Sequence, residues 1–263
     1  MTEPFLREER RGAVLMLTMN GPEDRNALSS ARQCEEFVEA CRRINADQGI
    51  RAVILTGRDP AFCSGGNVKH MRSLEGFMAG RVEEVAEGYR ASLQQLALSL
   101  YEVQVPVIAA VNGPTFGAGL DIACMCDIRL ASDRARFSET FVRLGLISGI
   151  GGAWFLPRVV GASRAAELSF TARVFNAAQA LEYGLVSEIL AADRLMSRAL
   201  ELAEEIAGHS GSALRFCKRL LRRSDGSDLR TSLDLTAALQ AIAHQTPEHH
   251  AAVESFLAER ERR

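Results

Sequence analysis

A buried strand running through a glycine turn into a helix constrains a fold strongly, and residues 105–121 spell one out. Val105-Pro106-Val107-Ile108-Ala109-Ala110-Val111 is apolar and rich in β-branched residues, and Gly113-Pro114 bounds it. It predicts a buried strand that ends in a turn. Gly117-Ala118-Gly119 then opens an apolar segment with a single carboxylate, Asp121, one turn inside. The first N–H groups of a helix lack intrahelical partners and point the same way, and the helix dipole makes that end positive. Such donors suit an anion or a developing oxyanion. A carboxylate beside them can move a proton while they hold negative charge, which makes this segment a candidate active site.

A second turn of the same kind comes earlier. Residues 51–57 read as a strand, and Ala61-Phe62-Cys63-Ser64-Gly65-Gly66-Asn67-Val68-Lys69 forms the loop after it. Gly65 and Gly66 let a backbone approach a ligand closely and reach positive φ at little cost. Two such turns can each offer one N–H to the same oxygen. Either turn alone is better explained by turn geometry and tight packing.

The remaining chain alternates strands and helices. Strands are predicted at 13–20, 51–57, 105–112 and 127–131, with shorter ones near 136–141 and 186–190. Helical spacing runs over 28–46, with Ser29 or Ser30 as the cap, and over 74–101 as one long helix or two. Beyond about residue 190 the signal is helical: 193–208, 212–223 and 227–263, with Pro247 near a break. Strands interleaved with helices and followed by helices alone indicate a layered α/β fold.

Composition narrows the function. With 263 residues, 47% of them hydrophobic, the chain can bury a substantial core. A formal net charge of −2 argues against electrostatically driven nucleic-acid binding. The first eleven residues lack the apolar core of a signal peptide, and no apolar run reaches membrane-spanning length, so a cytoplasmic location is expected. Six cysteines without paired metal-ligand spacing are expected to be reduced core residues. His244, His249 and His250 are expected on the surface rather than around a metal. The third position of a dinucleotide fingerprint begun at Gly117 is Ile122, and neither a Gly-x-Ser-x-Gly elbow nor a Walker-type phosphate loop occurs.

The loop from Ala61 to Lys69, the run from Ile108 to Asp127, Gly145-Leu146-Ile147-Ser148-Gly149-Ile150-Gly151-Gly152 and Asn26-Ala27-Leu28 together resemble the crotonase superfamily of enoyl-CoA hydratases and isomerases. The match is collinear from about Val14 to the C-terminal helices. The resemblance implies an α/β fold, a spiral of ββα turns over residues 1–190 followed by a C-terminal helical trimerisation region over 191–263. It implies an acyl-CoA thioester whose carbonyl oxygen lies between the backbone N–H groups of Gly66 and Ala118. Ser64, Gly65, Asn67 and Val68 match the family's substrate-binding loop, and Arg25 and Lys69 are candidates to meet the phosphates of coenzyme A. The implied partners are the acyl-CoA and further copies of the chain, as a homotrimer or a dimer of trimers. No metal is implied, and no cofactor beyond the coenzyme A of the substrate.

The carboxylates depart from the hydratase pattern. Typical hydratases of the family carry glutamate at the Asp121 position and another at the Phe141 position. A phenyl ring cannot transfer a proton. Glu139 lies two residues before Phe141, and in a strand such residues face one side, ~6.5–7 Å apart. Asp121 is therefore expected as the main proton-transfer group and Glu139 as its assistant in the same cleft. The alternative for Glu139 is a structural partner of Arg134, Arg136 or Arg143. The leading expectation is hydration of a 2-enoyl-CoA through an enolate-like thioester. Isomerisation of an enoyl- or dienoyl-CoA, thioester or C–C hydrolysis, and non-catalytic acyl-CoA binding are the alternatives.

Overall fold

The computed structural model describes residues 3–73 and 80–261. The chain opens with strands β1 (Leu6–Arg11) and β2 (Val14–Met19), helix α1 (Ala31–Ala46), strand β3 (Ala52–Gly57) and helices α2 (Val68–Ser73), α3 (Val82–Ala91) and α4 (Leu93–Tyr101). Then come β4 (Val107–Val111), β5 (Pro114–Phe116), α5 (Ala118–Met125), β6 (Ile128–Ser132) and β7 (Arg136–Ser138). After them lie α6 (Gly152–Val160), α7 (Ala162–Thr171), β8 (Phe175–Asn176), α8 (Ala177–Glu182) and β9 (Glu188–Leu190). Four helices end the chain: α9 (Leu195–Ala207), α10 (Gly211–Ser224), α11 (Leu229–His244) and α12 (Pro247–Glu261).

The strands form two sheets. The larger has the order β1-β2-β3-β4-β6-β9, antiparallel only at its β1–β2 edge, and the smaller has the order β5-β7-β8. Parallel strands covered on both faces need apolar residues on both. Leu15, Leu17, Val53, Leu55, Val107, Ala109 and Val111 enter the main core under α1, α4 and α5, while Val14, Met16, Ala52, Ile54, Ile108 and Ala110 pack on the opposite face against α9. Helix α9 presents Leu195, Ala199, Ala203 and Ala207 at four-residue spacing, and the three alanines let it lie close to the sheet. Helix α10 is fastened by Lys218, whose Nζ donates to Asp127 Oδ2 at 2.6 Å, and by Arg222, which donates to Asp127 Oδ1 at 2.7 Å.

The structure revises several expected elements. Residues 6–11 form an edge strand whose residues after Leu6 are all exposed, so the segment carries no hydrophobic alternation to signal it. The strand expected over 136–141 stops at Ser138, and residues 140–144 form a 3-10 turn. The helix expected over 74–101 is two helices broken at Ser92, with residues 74–79 outside the described ones. The last predicted helix is interrupted before Pro247, which starts α12.

Candidate active site

Loops at the carboxyl ends of β3 and β4 build the site, where ligands of open parallel sheets usually sit. The two glycine turns press backbone against backbone. A Cβ on Gly65, at φ +88, would lie 2.6 Å from the Phe116 carbonyl oxygen and 3.4 Å from the Ala118 nitrogen. A Cβ on Gly119 would overlap the Cys63 carbonyl group. Gly117 turns the chain at φ +50, ψ −120, and α5 starts at Ala118. Phe116 N–H donates to Cys63 O at 3.0 Å, which locks the loops together. Glycine is required here because only its backbone permits such approach.

Asn26 anchors the first loop from below. Its side chain is fully buried; Nδ2 donates to Ala61 O at 2.7 Å, Arg58 O at 2.8 Å and Phe62 O at 3.2 Å, while Oδ1 accepts from Gly21 N–H at 2.9 Å. Asn26 sits at φ 57, a left-handed conformation that asparagine tolerates better than most residues. Ser64 N–H donates to Arg25 O at 3.0 Å, and Leu28 N–H to Gly65 O at 2.8 Å.

Asp121, on the first turn of α5, is fully buried, and Glu139 is 3% exposed. The two carboxyls converge on Gly152: a Cβ there would overlap Asp121 Oδ1 and lie 2.8 Å from Glu139 Oε1. Ser148 Oγ donates to Asp121 Oδ2 at 2.6 Å and accepts from Gly152 N–H at 2.7 Å. Burial pushes both carboxyls above the ordinary carboxylate range. The Asp121 charge adds to the rise at Glu139, whereas hydrogen bonds from Ser148 and Glu139 restrain it at Asp121. Burial and the Asp121 charge thus favour a proton shared within the pair, on the Glu139 side.

This proton has a consequence for stability. Below 4.5, the ordinary glutamate value, Glu139 is protonated in both the folded and the unfolded chain. As pH rises from there towards its raised folded value, only the unfolded chain releases the proton, so stability falls. Glu139→Gln keeps the hydrogen-bond donor without the titration. Between about pH 5 and about pH 9 the wild type should lose more stability than Glu139→Gln in urea unfolding. Parallel pH dependences would contradict the shared proton.

In front of the turns lies a cleft. Gly66 and Ala118 form part of its wall, and Leu28, Met71, Leu93, Phe141, Leu146 and Ile147 supply most of its apolar lining. Asp121 and Glu139 do not line the cleft themselves; they lie one turn of α5 from Ala118 and two residues from Phe141, which do. Burial pushes the Cys63 thiol up to about 12, which suits a packing residue and not a nucleophile.

The arrangement has relatives. The model of the family described as enoyl-CoA hydratase/isomerase matches residues 9–263. The chain belongs to the enoyl-CoA hydratase/isomerase family. It is 32% identical over 260 residues to 2,3-dehydroadipyl-CoA hydratase of Escherichia coli K12 and 31% identical over 260 residues to 1,2-epoxyphenylacetyl-CoA isomerase of the same organism, in both cases across 99% of this chain and 97% of the relative. A crystal structure of enoyl-CoA hydratase from Bacillus anthracis superposes with a TM-score of 0.90 at 29% identity, covering 97% of this chain and 96% of the other. The crotonase-like α/β fold expected from the motifs is the fold observed.

Within this family member, the sequence-predicted site residues separate into groups. Gly66, Asn67 and Ala118 share the cleft wall. Ser64 and Gly65 hydrogen-bond to the segment from Asp24 to Leu28, with Ser64 Oγ donating to Asp24 O at 3.1 Å. Arg25, Val68 and Lys69 are exposed. Asp121 and Glu139 meet, but the same-side argument for Glu139 and Phe141 does not hold. Because β7 ends at Ser138, Glu139 turns into the interior while Phe141 lines the cleft. Sequence reasoning did not single out the roles of Asn26, Ser148, His70 and Tyr89. His70 and Tyr89 line the cleft, and His70 Nδ1 is buried without a hydrogen-bond partner among the described residues. For Ser148 a signal existed, the one hydroxyl in the run Gly145–Gly152.

Among the described residues no helix is long and apolar enough to cross a membrane, and no three His, Cys, Asp or Glu side chains are grouped to hold a metal ion.

Proposed function

We propose that the chain hydrates a 2-enoyl-CoA, with Gly66 and Ala118 N–H groups holding the thioester oxygen as it becomes enolate-like. The observation that carries this reading is the pair of glycine turns locked together on one cleft wall, with the buried carboxyls of Asp121 and Glu139 converging nearby on Gly152. Fixed donors bind the developing charge better than the neutral carbonyl, and one such donor is worth ~3–4 kcal/mol. Water adds as hydroxyl at Cβ and as a proton at Cα, and Asp121 with Glu139 manages that proton. Ser64, Gly65, Asn67 and Val68 receive the pantetheine side of the substrate, and Arg25 its phosphates. The only coenzyme in this reading is the coenzyme A of the substrate. The apolar lining of the cleft matches an uncharged acyl chain.

One observation favours a second reading, isomerisation of an enoyl-CoA. Phe141 occupies the cleft where a second carboxylate would hold water, and a single proton-sharing pair suffices to take a proton from one carbon and return it to another. Mass spectrometry of crotonyl-CoA and of a 3-enoyl-CoA after incubation separates the readings: added water marks hydration, and a migrated double bond isomerisation. Intact substrate in both incubations would contradict both. Phe141→Glu should raise crotonyl-CoA hydration by about tenfold or more, since general acid–base groups contribute 10²–10⁴-fold when well placed. No gain in a folded variant would remove Phe141 as the brake on hydration.

The assembly in this reading is a homotrimer or a dimer of trimers. Leu229, Leu233, Ile242, Phe256 and Leu257 on α11 and α12 are exposed, more apolar surface than a lone chain leaves open comfortably. Light scattering giving the mass of one chain at micromolar concentration would exclude it. Six free cysteines accord with action in the cytoplasm, which cell fractionation would test.

A further inference from the structure

We infer that Ser148 is a positioning residue for Asp121: it pins one carboxylate oxygen and leaves the other for proton exchange. The inference rests on the proposed role of Asp121. Ser148 lies between Ile147 and Gly149, both of which line the cleft, yet its hydroxyl faces inward. A hydroxyl has one proton to give, and this one goes to Asp121 Oδ2 at 2.6 Å. Its oxygen accepts the N–H of Gly152, the first residue of α6, at 2.7 Å. That N–H is one of the helix's unpaired donors, so Ser148 passes the positive end of α6 on to the carboxylate.

The other oxygen is treated differently. Asp121 Oδ1 is buried with no N–H or hydroxyl donor on it among the described residues, and beside Gly152 it meets only the Glu139 carboxyl, with which it can exchange a proton. The two oxygens of one carboxylate are thereby divided: Oδ2 is held, and Oδ1 is open to a proton. A side chain at Gly152 would fill this gap, which accounts for glycine at the start of α6 although it is a poor helix former. Without the Ser148 hydroxyl, Asp121 Oδ2 would lose its one fixed donor among the described residues, and Glu139 alone would oppose the effect of burial. The titratable groups facing Asp121 are Glu139, from the segment after β7, and Cys124 on its own helix, a thiol that burial keeps neutral. Ser148, with Glu139 as the lesser partner, thus draws Asp121 back towards ionisation.

A purely structural role is also open to Ser148, as a cap on α6, and the test separates the two. The 13Cγ resonance of Asp121 is titrated in ligand-free wild type, Ser148→Ala and Ser148→Thr, with crotonyl-CoA turnover measured against pH in the same proteins and in Asp121→Asn. Loss of the hydroxyl removes a bond that favours the charged form, so in Ser148→Ala the Asp121 titration should move up by about one pH unit. The acidic limb of turnover should move with it, kcat should fall about tenfold to a hundredfold, and KM should stay within about twofold. Ser148→Thr keeps the hydroxyl and should restore most of both. An unchanged Asp121 titration in a folded Ser148→Ala overturns the inference, whatever happens to stability. Undiminished turnover in Asp121→Asn overturns the reading beneath it and this inference with it. Loss of turnover in Asp121→Asn with an unchanged Ser148→Ala profile overturns this inference alone.

Discussion

Asp121→Asn is expected to lower turnover of crotonyl-CoA by roughly 10²–10⁴-fold while leaving the fold intact. Asparagine has the size of aspartate, keeps an oxygen for the Ser148 hydroxyl and removes the basicity. The loss should appear in kcat more than in KM, because the carboxylate acts on the developing charge and not on the bound ground state. Glu139 supports this group by holding the shared proton, so Glu139→Gln should cost less. The buried position of the pair explains the order: among the described residues no cation offsets the Asp121 charge, which depends on Ser148 and Glu139 for its hydrogen bonds. Equal activity in both variants and in wild type, measured at the substrate's conjugated-enone absorbance, would mean that the carboxyls are structural.

Asn26→Ala is expected to destabilise the protein by about 3–5 kcal/mol in urea unfolding and to abolish turnover, because it strips hydrogen bonds from four backbone groups at once, most of them buried. The carbonyls of Arg58, Ala61 and Phe62 and the N–H of Gly21 all bond to this one side chain, and without it Ala61 O keeps only the longer bond from Asn112 Nδ2 at 3.4 Å. The carbonyls belong to the loop that carries Gly65 and Gly66, so the loss falls on the site as well as on the core. Asn26→Asp should be almost as damaging, since a carboxylate would face three carbonyl oxygens. A cost below about 1 kcal/mol would show that water replaces the amide without difficulty.

What could be read from the sequence was what depends on near neighbours. The glycine turns were legible because positive φ and close backbone contact leave glycine as the residue that fits, and Gly65 and Gly117 do sit at positive φ. The central strands were legible because both faces are buried and their residues are apolar throughout. Asn26 gave no local sign of its role, because its partners lie 32 to 36 residues on, apart from Gly21 five residues before it. The pairing of Glu139 with Asp121 was expected for a reason that failed. A strand would have placed Glu139 and Phe141 on one side, but the chain leaves β7 at Ser138 and its backbone at Glu139 turns to φ −84, ψ 79. Helix α6 likewise starts at a glycine that no propensity would choose, dictated by the two carboxyls against it.

The central claim is that one thioester oxygen is held by two backbone donors, and a crystal structure with a non-hydrolysable acyl-CoA analogue tests it most directly. The account predicts the carbonyl oxygen ~2.7–3.1 Å from both the Gly66 and the Ala118 nitrogen, with the acyl chain against Phe141 and Leu146. A carbonyl bound elsewhere in the cleft, or an analogue that makes neither hydrogen bond, would contradict it.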